Sequence, residues 1–268
     1  MTKFPKLKTI DLEISNKWIT IWLNRPKVKN AFSEKMVDEL IDVLFLIGSK
    51  QEFRGIKIKG RGNTFCSGGD LKEFKLNFQK NPISVNEIKI TNKKIGTMLS
   101  SLQNIPQTVL SLVDGVAFAG GLGIVCSSDI VIVTSKAKFA ISETRLGLPP
   151  AQIAPFVVSR LGLTNARRLM LTGSVFSCDE ALKFGLADYI VKDEIELEKK
   201  SLEVMNEINK CGPQASLATK KMLAACQLEK KGNLSDIAAS IFSECMISEE
   251  AKEGLSSFLE KRKPKWLS

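Results

Sequence analysis

Two stretches of clustered glycine hold the chemistry this chain can do. Val113 to Gly123 reads VDGVAFAGGLG, set between the apolar run Thr108–Leu112 and the apolar Ile124-Val125-Cys126. Upstream, Phe65-Cys66-Ser67-Gly68-Gly69-Asp70-Leu71 follows Gly55-Ile56-Lys57-Ile58-Lys59. A strand that breaks into glycine and then enters a helix lets a ligand approach the backbone and leaves N–H groups without internal partners. Two such turns can each aim one donor at the same oxygen, which is the layout of an oxyanion hole. Glycine after a strand is also an ordinary turn. Gly121-x-Gly123 is only a fragment of the dinucleotide fingerprint, with Cys126 where its third glycine belongs, so neither cluster decides alone.

The residue types that are missing narrow the chemistry further. The 268 residues include no histidine, which removes Ser-His-Asp and Cys-His catalysis and the His-containing zinc and iron sites. Six cysteines, at 66, 126, 178, 211, 226 and 245, show no CxxC pair and no short repeated spacing, so reduced thiols and no metal site are expected. Proton transfer near neutral pH is left to a carboxylate, a lysine, a cysteine or Tyr189. A net charge of +10 and a pI near 9.3 fit either a lysine-rich solvated surface or attraction to an anionic ligand, a phosphorylated cofactor or nucleic acid. Nucleic acid is the weaker choice, because no basic segment is interleaved with aromatics and the chain has one tyrosine. No apolar run approaches the roughly 20 residues that span a bilayer. MTKFPKLKTIDLEI has no apolar signal core, so a cytoplasmic protein without a membrane partner is expected.

The elements that must position these residues are an α/β set. With 44% hydrophobic residues the chain can build one large core, or one core with a small appendage. Alternation over 7–14 and 17–23 with Asn16 between predicts a β-hairpin. Ser33 caps a helix carrying Met36, Val37, Leu40, Leu44 and Ile47. The polar segment 72–84, broken by Asn81-Pro82, is expected to be a mobile cover over the Gly69 turn, before a helix from about Ser84 to Leu102. Strands follow at 108–113, 129–133 and 138–141, with a helix after the second glycine cluster. Thr164 is expected to cap a helix ending at Gly173, and Ser177-x-x-Glu180 is a capping box. Residues 188–191 form a last strand. Beyond Glu194 all is helical, punctuated at Gly212-Pro213, Gly232-Asn233 and Ser248. Strands alternating with helices, then helices alone, argue an α/β core with an α-helical C-terminal piece.

The segments NRPKVKNAFS (24–33), TFCSGGDLKEF (64–74), VDGVAFAGGLGIVCSSDIVI (113–132), KFAISETRLGL (138–148) and FSCDEALKFGLADYIV (176–191) resemble the enoyl-CoA hydratase/isomerase (crotonase) family, in order and at its spacing. The resemblance implies a spiral of ββα turns over residues 1–204. It also implies a helical oligomerisation region over 205–268 that builds a homotrimer or a dimer of trimers. The substrate would be an acyl-CoA thioester, with CoA entering as part of it and no separate cofactor. Carried over by position, the oxyanion donors are the N–H groups of Gly69 and Gly120. The CoA contacts fall on Lys27, Val28 and Lys29 and on Cys66, Gly68, Gly69, Asp70 and Leu71. Asp70 and Asp129 fit the pattern and read as turn or cap residues. Of the family's two hydratase glutamates one position is Glu143 and the other is Gly123. Glu143 is thus the expected catalyst, against the plainer alternative of a surface carboxylate paired with Arg145. Glycine at 123 is expected to leave room for a branched or carboxylate-bearing acyl chain, with Arg145 a candidate partner for its charge. LPPAQIAPFV (148–157) resembles the branch containing isohexenylglutaconyl-CoA and methylglutaconyl-CoA hydratases. Hydration of an enoyl-CoA is therefore the leading expectation. 3,2-Enoyl-CoA isomerisation, which needs one carboxylate only, is the alternative. RNA binding, known in one family member, is disfavoured by the acidic helix EKMVDELIDVLFLIGSK.

Overall fold

The computed structural model describes residues 4–50, 52–80, 84–228 and 233–267; Asn81-Pro82 and Gly232 lie outside them. The chain opens with β1 (Ile10–Ser15) and β2 (Trp18–Leu23), an antiparallel pair whose tight turn puts Asn16 and Lys17 at positive φ. A short 3₁₀ turn at Pro26–Val28 leads to α1 (Glu34–Gly48), capped by the Ser33 hydroxyl, which accepts from Met36 N–H. Then come β3 (Gly55–Gly60), α2 (Leu71–Lys80), α3 (Val85–Asn104), β4 (Thr108–Val113), β5 (Val116–Phe118) and α4 (Gly120–Ser127). β6 (Ile130–Thr134) and β7 (Lys138–Ala140) precede a 3₁₀ turn at Glu143–Leu146 and α5 (Ala154–Thr172). β8 (Val175–Ser177), α6 (Cys178–Lys183), β9 (Tyr189–Val191), α7 (Glu194–Lys210), α8 (Pro213–Leu228), α9 (Leu234–Met246) and α10 (Glu249–Leu259) complete it.

The strands form two sheets, β1-β2-β3-β4-β6-β9 and β5-β7-β8. Apart from the first hairpin and the β7–β8 pair, every pairing is parallel. The chain therefore climbs in turns. A strand in the large sheet, β4 or β6, is followed by one in the small sheet, β5 or β7, and then by a helix that returns it. β3 starts an earlier turn whose second strand is reduced to one bridge, Cys66 beside Ala117. This is the expected spiral of ββα units. A carboxylate repeats in register with it: Asp129 accepts from Val109 N–H, and Asp188 accepts from Val131 N–H one turn later, both at 2.7 Å. Asp129 also holds Lys220 at 2.7 Å, so it is structural, as expected.

The main core lies between the inner face of the large sheet and α1, α3, α4 and α5, with Ile19, Ile58, Val109, Val131, Leu99 and Leu122 almost fully buried. The outer face carries Trp18, Leu110, Leu112 and Ile132, and α7 covers it with Leu197, Val204 and Met205. Lys59, buried on that face, pairs with Glu198 of α7. α9 buries no residue among those described, in contrast to α1, which buries seven. No helix among the described residues is long and apolar enough to cross a membrane.

One expectation about local structure changes. The polar segment after Gly69 is a ten-residue helix, α2, because Asp70 caps it by accepting from Lys72 and Glu73 N–H. The helix expected near Thr164 and ending at Gly173 is the second segment of α5, set off from the first by the non-helical Gly162, where φ is 73° and ψ 159°.

Candidate active site

One row of residues across the small sheet sets the site. Cys66 bridges Ala117, and Ala117 pairs with Phe139. All three are fully buried. Three residues beyond each member of the row come Gly69, Gly120 and Ser142, with Glu143 one residue later. Parallel neighbouring strands lie about 4.8 Å apart, so successive turns of the spiral deliver their exits side by side. The Ala119 N–H donates to Ala140 O at 2.9 Å, which ties the second exit to the third.

The two glycine turns are held so that one N–H of each stays unpaired. Phe32 lies parallel to Gly69: its N–H donates to Gly68 O and its carbonyl accepts from Asp70 N–H. Those bonds use the groups on either side of Gly69 and turn its own N–H to the opposite edge. Gly120 is the first residue of α4, where no intrahelical acceptor exists. Among the described residues neither N–H has a hydrogen-bond acceptor. Ala119, just before Gly120, sits at φ 49° and ψ −120°, a region that is strained for alanine. Its N–H to Ala140 and its carbonyl, which accepts from Gly123 N–H, pin it there. Gly68, at φ 98°, is needed for a second reason: a methyl built on it would stand 2.7 Å from the Ala119 methyl. The two turns are packed against each other through that missing side chain.

Glu143 opens the 3₁₀ turn at the third exit and is half-buried. Its Oε2 is buried, and no donor among the described residues reaches it. Burial pushes its carboxyl pKa above the usual range. No ion pair joins it to Arg145. The Arg145 side chain instead lies along Gly173, where a built methyl would meet its Cγ at 3.0 Å. The alternative of a surface Glu143–Arg145 pair is therefore not what the chain forms.

The room expected at Gly123 is absent. Gly123 is buried on α4, and a built methyl would stand 2.8 Å from Ile153 Cγ2 and 3.0 Å from a Leu99 methyl. Ile153 arrives from the LPPAQIAPFV stretch and Leu99 from α3, so two apolar side chains already fill the place where a second carboxylate would go.

The other expected site residues lie around the first exit. Asp70 pairs with Arg25 at 2.9 Å as it caps α2; these contacts, with the Arg25 charge, hold its carboxyl below the ordinary pKa although burial opposes them. It is a cap, as read from the sequence. The Cys66 thiol is fully buried and pushed up to about 12, too high for a nucleophile. Leu71 is exposed at the start of α2. The Lys27–Lys29 loop is brought beside this turn by Ser67 N–H, which donates to Lys29 O at 3.0 Å. Lys27 and Lys29 are exposed and, among the described residues, have no acidic partner. Phe74 was not among the expected residues, yet its ring lies over Gly69, with Cε2 2.6 Å from a built methyl. The phenylalanine one turn into α2 was its only sequence signal.

The model of the family described as Enoyl-CoA hydratase/isomerase matches residues 13–268. The chain belongs to that family. It is 30% identical to the short-chain-enoyl-CoA hydratase of Clostridium acetobutylicum over 96% of this chain and 97% of that one. It is 25% identical to the trans-2-decenoyl-[acyl-carrier-protein] isomerase of Streptococcus mutans over 97% and 98%. Among solved structures, Pseudomonas aeruginosa AtuE superposes with a TM-score of 0.94 at 38% identity, covering 97% of this chain and all of the other. The protein is thus an enzyme of the hydratase/isomerase family, whose substrates are CoA thioesters. Among the described residues no group of three or more His, Cys, Asp or Glu can hold a metal ion.

Proposed function

We propose that the protein hydrates a 2-enoyl-CoA, with Glu143 as the single acid–base residue and the Gly69 and Gly120 N–H groups binding the thioester oxygen. The observation that carries this reading is the buried, unpartnered Oε2 of Glu143 at the exit next to two strand exits with free N–H donors among the described residues. As water attacks C3, charge moves onto the thioester oxygen, and the two N–H groups stabilise it as it develops. Glu143 takes the water's proton and returns a proton to C2. Its raised pKa brings the carboxylate closer to the range in which one group can both take and give a proton. Lys27 and Lys29 answer the CoA phosphates, with Cys66 to Leu71 lying along the pantetheine. The LPPAQIAPFV resemblance supports a branched or glutaconyl-like acyl chain. The apolar faces of α8–α10 support assembly as a trimer or dimer of trimers.

Isomerisation of a 3-enoyl-CoA is favoured by a different observation: the filled space at Gly123, which leaves no second carboxylate to hold a water. Moving a double bond needs only one base to carry a proton between C4 and C2. Separate incubations with 2-enoyl- and 3-enoyl-CoA, with product analysis by mass, decide between them. Hydration adds the mass of water to the 2-enoyl ester, whereas isomerisation leaves the mass of the 3-enoyl ester unchanged and moves its absorbance.

A further inference from the structure

One residue touches both glycine turns. Phe32 forms a parallel bridge with Gly69: its N–H donates to Gly68 O at 2.7 Å, and its carbonyl accepts from Asp70 N–H at 2.9 Å. Its ring reaches the other turn, where a methyl built on Gly120 would stand 2.8 Å from Cε2 and 2.9 Å from Cδ2. The ring therefore lies directly against the Gly120 main chain, and Gly120 cannot move toward it without collision. The turns also meet at a second point, the Ala119 methyl against Gly68. One contact would leave them free to pivot on each other. Two do not.

Phe32 is itself held from several sides. It is 4% exposed and belongs to the main core. It stands just before Ser33, the N-cap of α1, and Val37, at the fourth position of that helix, lies in the same core. Apolar residues at those two places fix the angle at which a chain enters a helix. Arg25 clasps the bridge, donating to Ala31 O on one side of it and to the Asp70 carboxylate on the other. A ring so packed transmits displacement instead of absorbing it.

We propose that Phe32 is a positioning residue for the reaction: its main chain aims the Gly69 N–H, its ring holds Gly120 in place, and the separation of the two donors is set through it. The proposal rests on the reading of those N–H groups as the pair that binds the thioester oxygen. Fixed donors matter most where charge develops, so a loosened pair loses its grip on an enolate before it loses its grip on a neutral ester. Truncating the ring leaves the main-chain bridge to Gly69 intact and frees Gly120 alone.

The test compares two CoA esters bound to the whole protein. Butyryl-CoA offers a neutral thioester carbonyl. Acetoacetyl-CoA ionises to an enolate that puts part of its negative charge on the thioester oxygen, and the enolate's absorbance gives the pH at which the bound ester ionises. In the unaltered protein that pH is expected to lie below the value for the free ester. Phe32→Ala should give up about thirtyfold of this preference for the enolate, less than the roughly 10²–10³ for losing a donor altogether. Butyryl-CoA should bind within about threefold of its original affinity, and kcat should fall with little change in KM. Phe32→Leu, which restores an apolar branch beside Gly120, should give up only about fivefold. An unchanged enolate preference in Phe32→Ala overturns the proposal. So does an equal weakening of both esters, which is what a merely structural role would give. Should Phe32→Ala not fold, Phe32→Leu decides alone, and an unchanged preference there overturns the proposal. If the unaltered protein binds neither ester, or binds acetoacetyl-CoA without shifting its ionisation, the reading of Gly69 and Gly120 as donors itself fails, and this proposal with it.

Discussion

The strand exits at Gly69, Gly120 and Glu143 and the helices after residue 210 are built on opposite terms. At the exits each side chain or its absence is answered inside the chain: Gly68 makes way for Ala119, Gly120 for Phe32, and Gly123 for Ile153 and Leu99. In the last three helices several large apolar side chains among the described residues stay exposed. Phe258 is 82% exposed, Ile247 77% and Phe242 69%. Single exposed apolar residues are ordinary, but a face of them marks a surface waiting for a partner. Chemistry needs donors fixed to a fraction of an ångström, and backbone packed on backbone supplies that within one chain. The C-terminal faces need only to be covered, and another copy can do this.

The largest expected effect breaks the exits. Glu143→Gln should remove nearly all turnover, by about 10²–10⁴ or more, while binding of a saturated CoA ester stays within a few-fold. Retained activity would show that another group carries the proton. Gly68→Ala comes next. The methyl clashes with Ala119, and φ of 98° is strained for alanine, so the two donors should spread. kcat is expected to fall by about 10²–10³, the range for losing one oxyanion donor, with a smaller change in KM. Normal kinetics in this variant would mean that the two turns are not coupled.

Gly123→Glu sharpens the same contrast. Room for an acyl chain there predicts selective loss on bulky substrates, whereas the filled space predicts overpacking. The expected result is a loss of about 1–3 kcal/mol of stability, read by denaturant titration, with equal damage on crotonyl-CoA and longer esters. At the other region, Phe258→Lys with Ile247→Lys should lower the sedimenting mass at micromolar concentration while the midpoint of the core's unfolding moves little. An unchanged mass would place the assembly surface elsewhere. The smallest effect is a pH dependence. Burial raises the Glu143 pKa in the folded chain, so the folded state holds a proton that the unfolded state, near 4.3, has released. Stability from this group is therefore lost as pH rises through that window. Glu143→Gln should raise Tm at pH 7 and lose its advantage below about pH 4; a Tm gain that does not vary with pH contradicts this sign.

Much of the exits could be read from sequence. The glycine clusters, the absence of histidine and Glu143 are local facts, and the capping residues Ser33, Ser84 and Ser177 mark helix starts that the structure reproduces. β5 and β8 were missed because β5 lies inside the glycine cluster and β8 runs straight into the Ser177 capping box. α2 read as a cover because its apolar residues are few, and its cap depends on an aspartate that Arg25 holds from elsewhere in the chain. Gly123 was misjudged for the same reason at longer range. A glycine's neighbours in sequence say nothing of Ile153, thirty residues on. Phe74 became visible only when α2 was seen to fold back over Gly69.

The row Cys66–Ala117–Phe139 carries a consequence for how such an enzyme can change. Successive turns of the spiral bring Gly69, Gly120 and Glu143 to neighbouring strand exits, and the row is indifferent to how long the chain wanders before the next strand arrives. Insertions or deletions between α2 and β4, or between the Glu143 turn and β8, leave the three exits in register. Lineages built on this plan can therefore rewrite the acyl side by changing connecting segments while the donors stay still. A single-residue slip inside β5, by contrast, would displace Gly120 from the row. Novelty is cheap between the exits and forbidden within them.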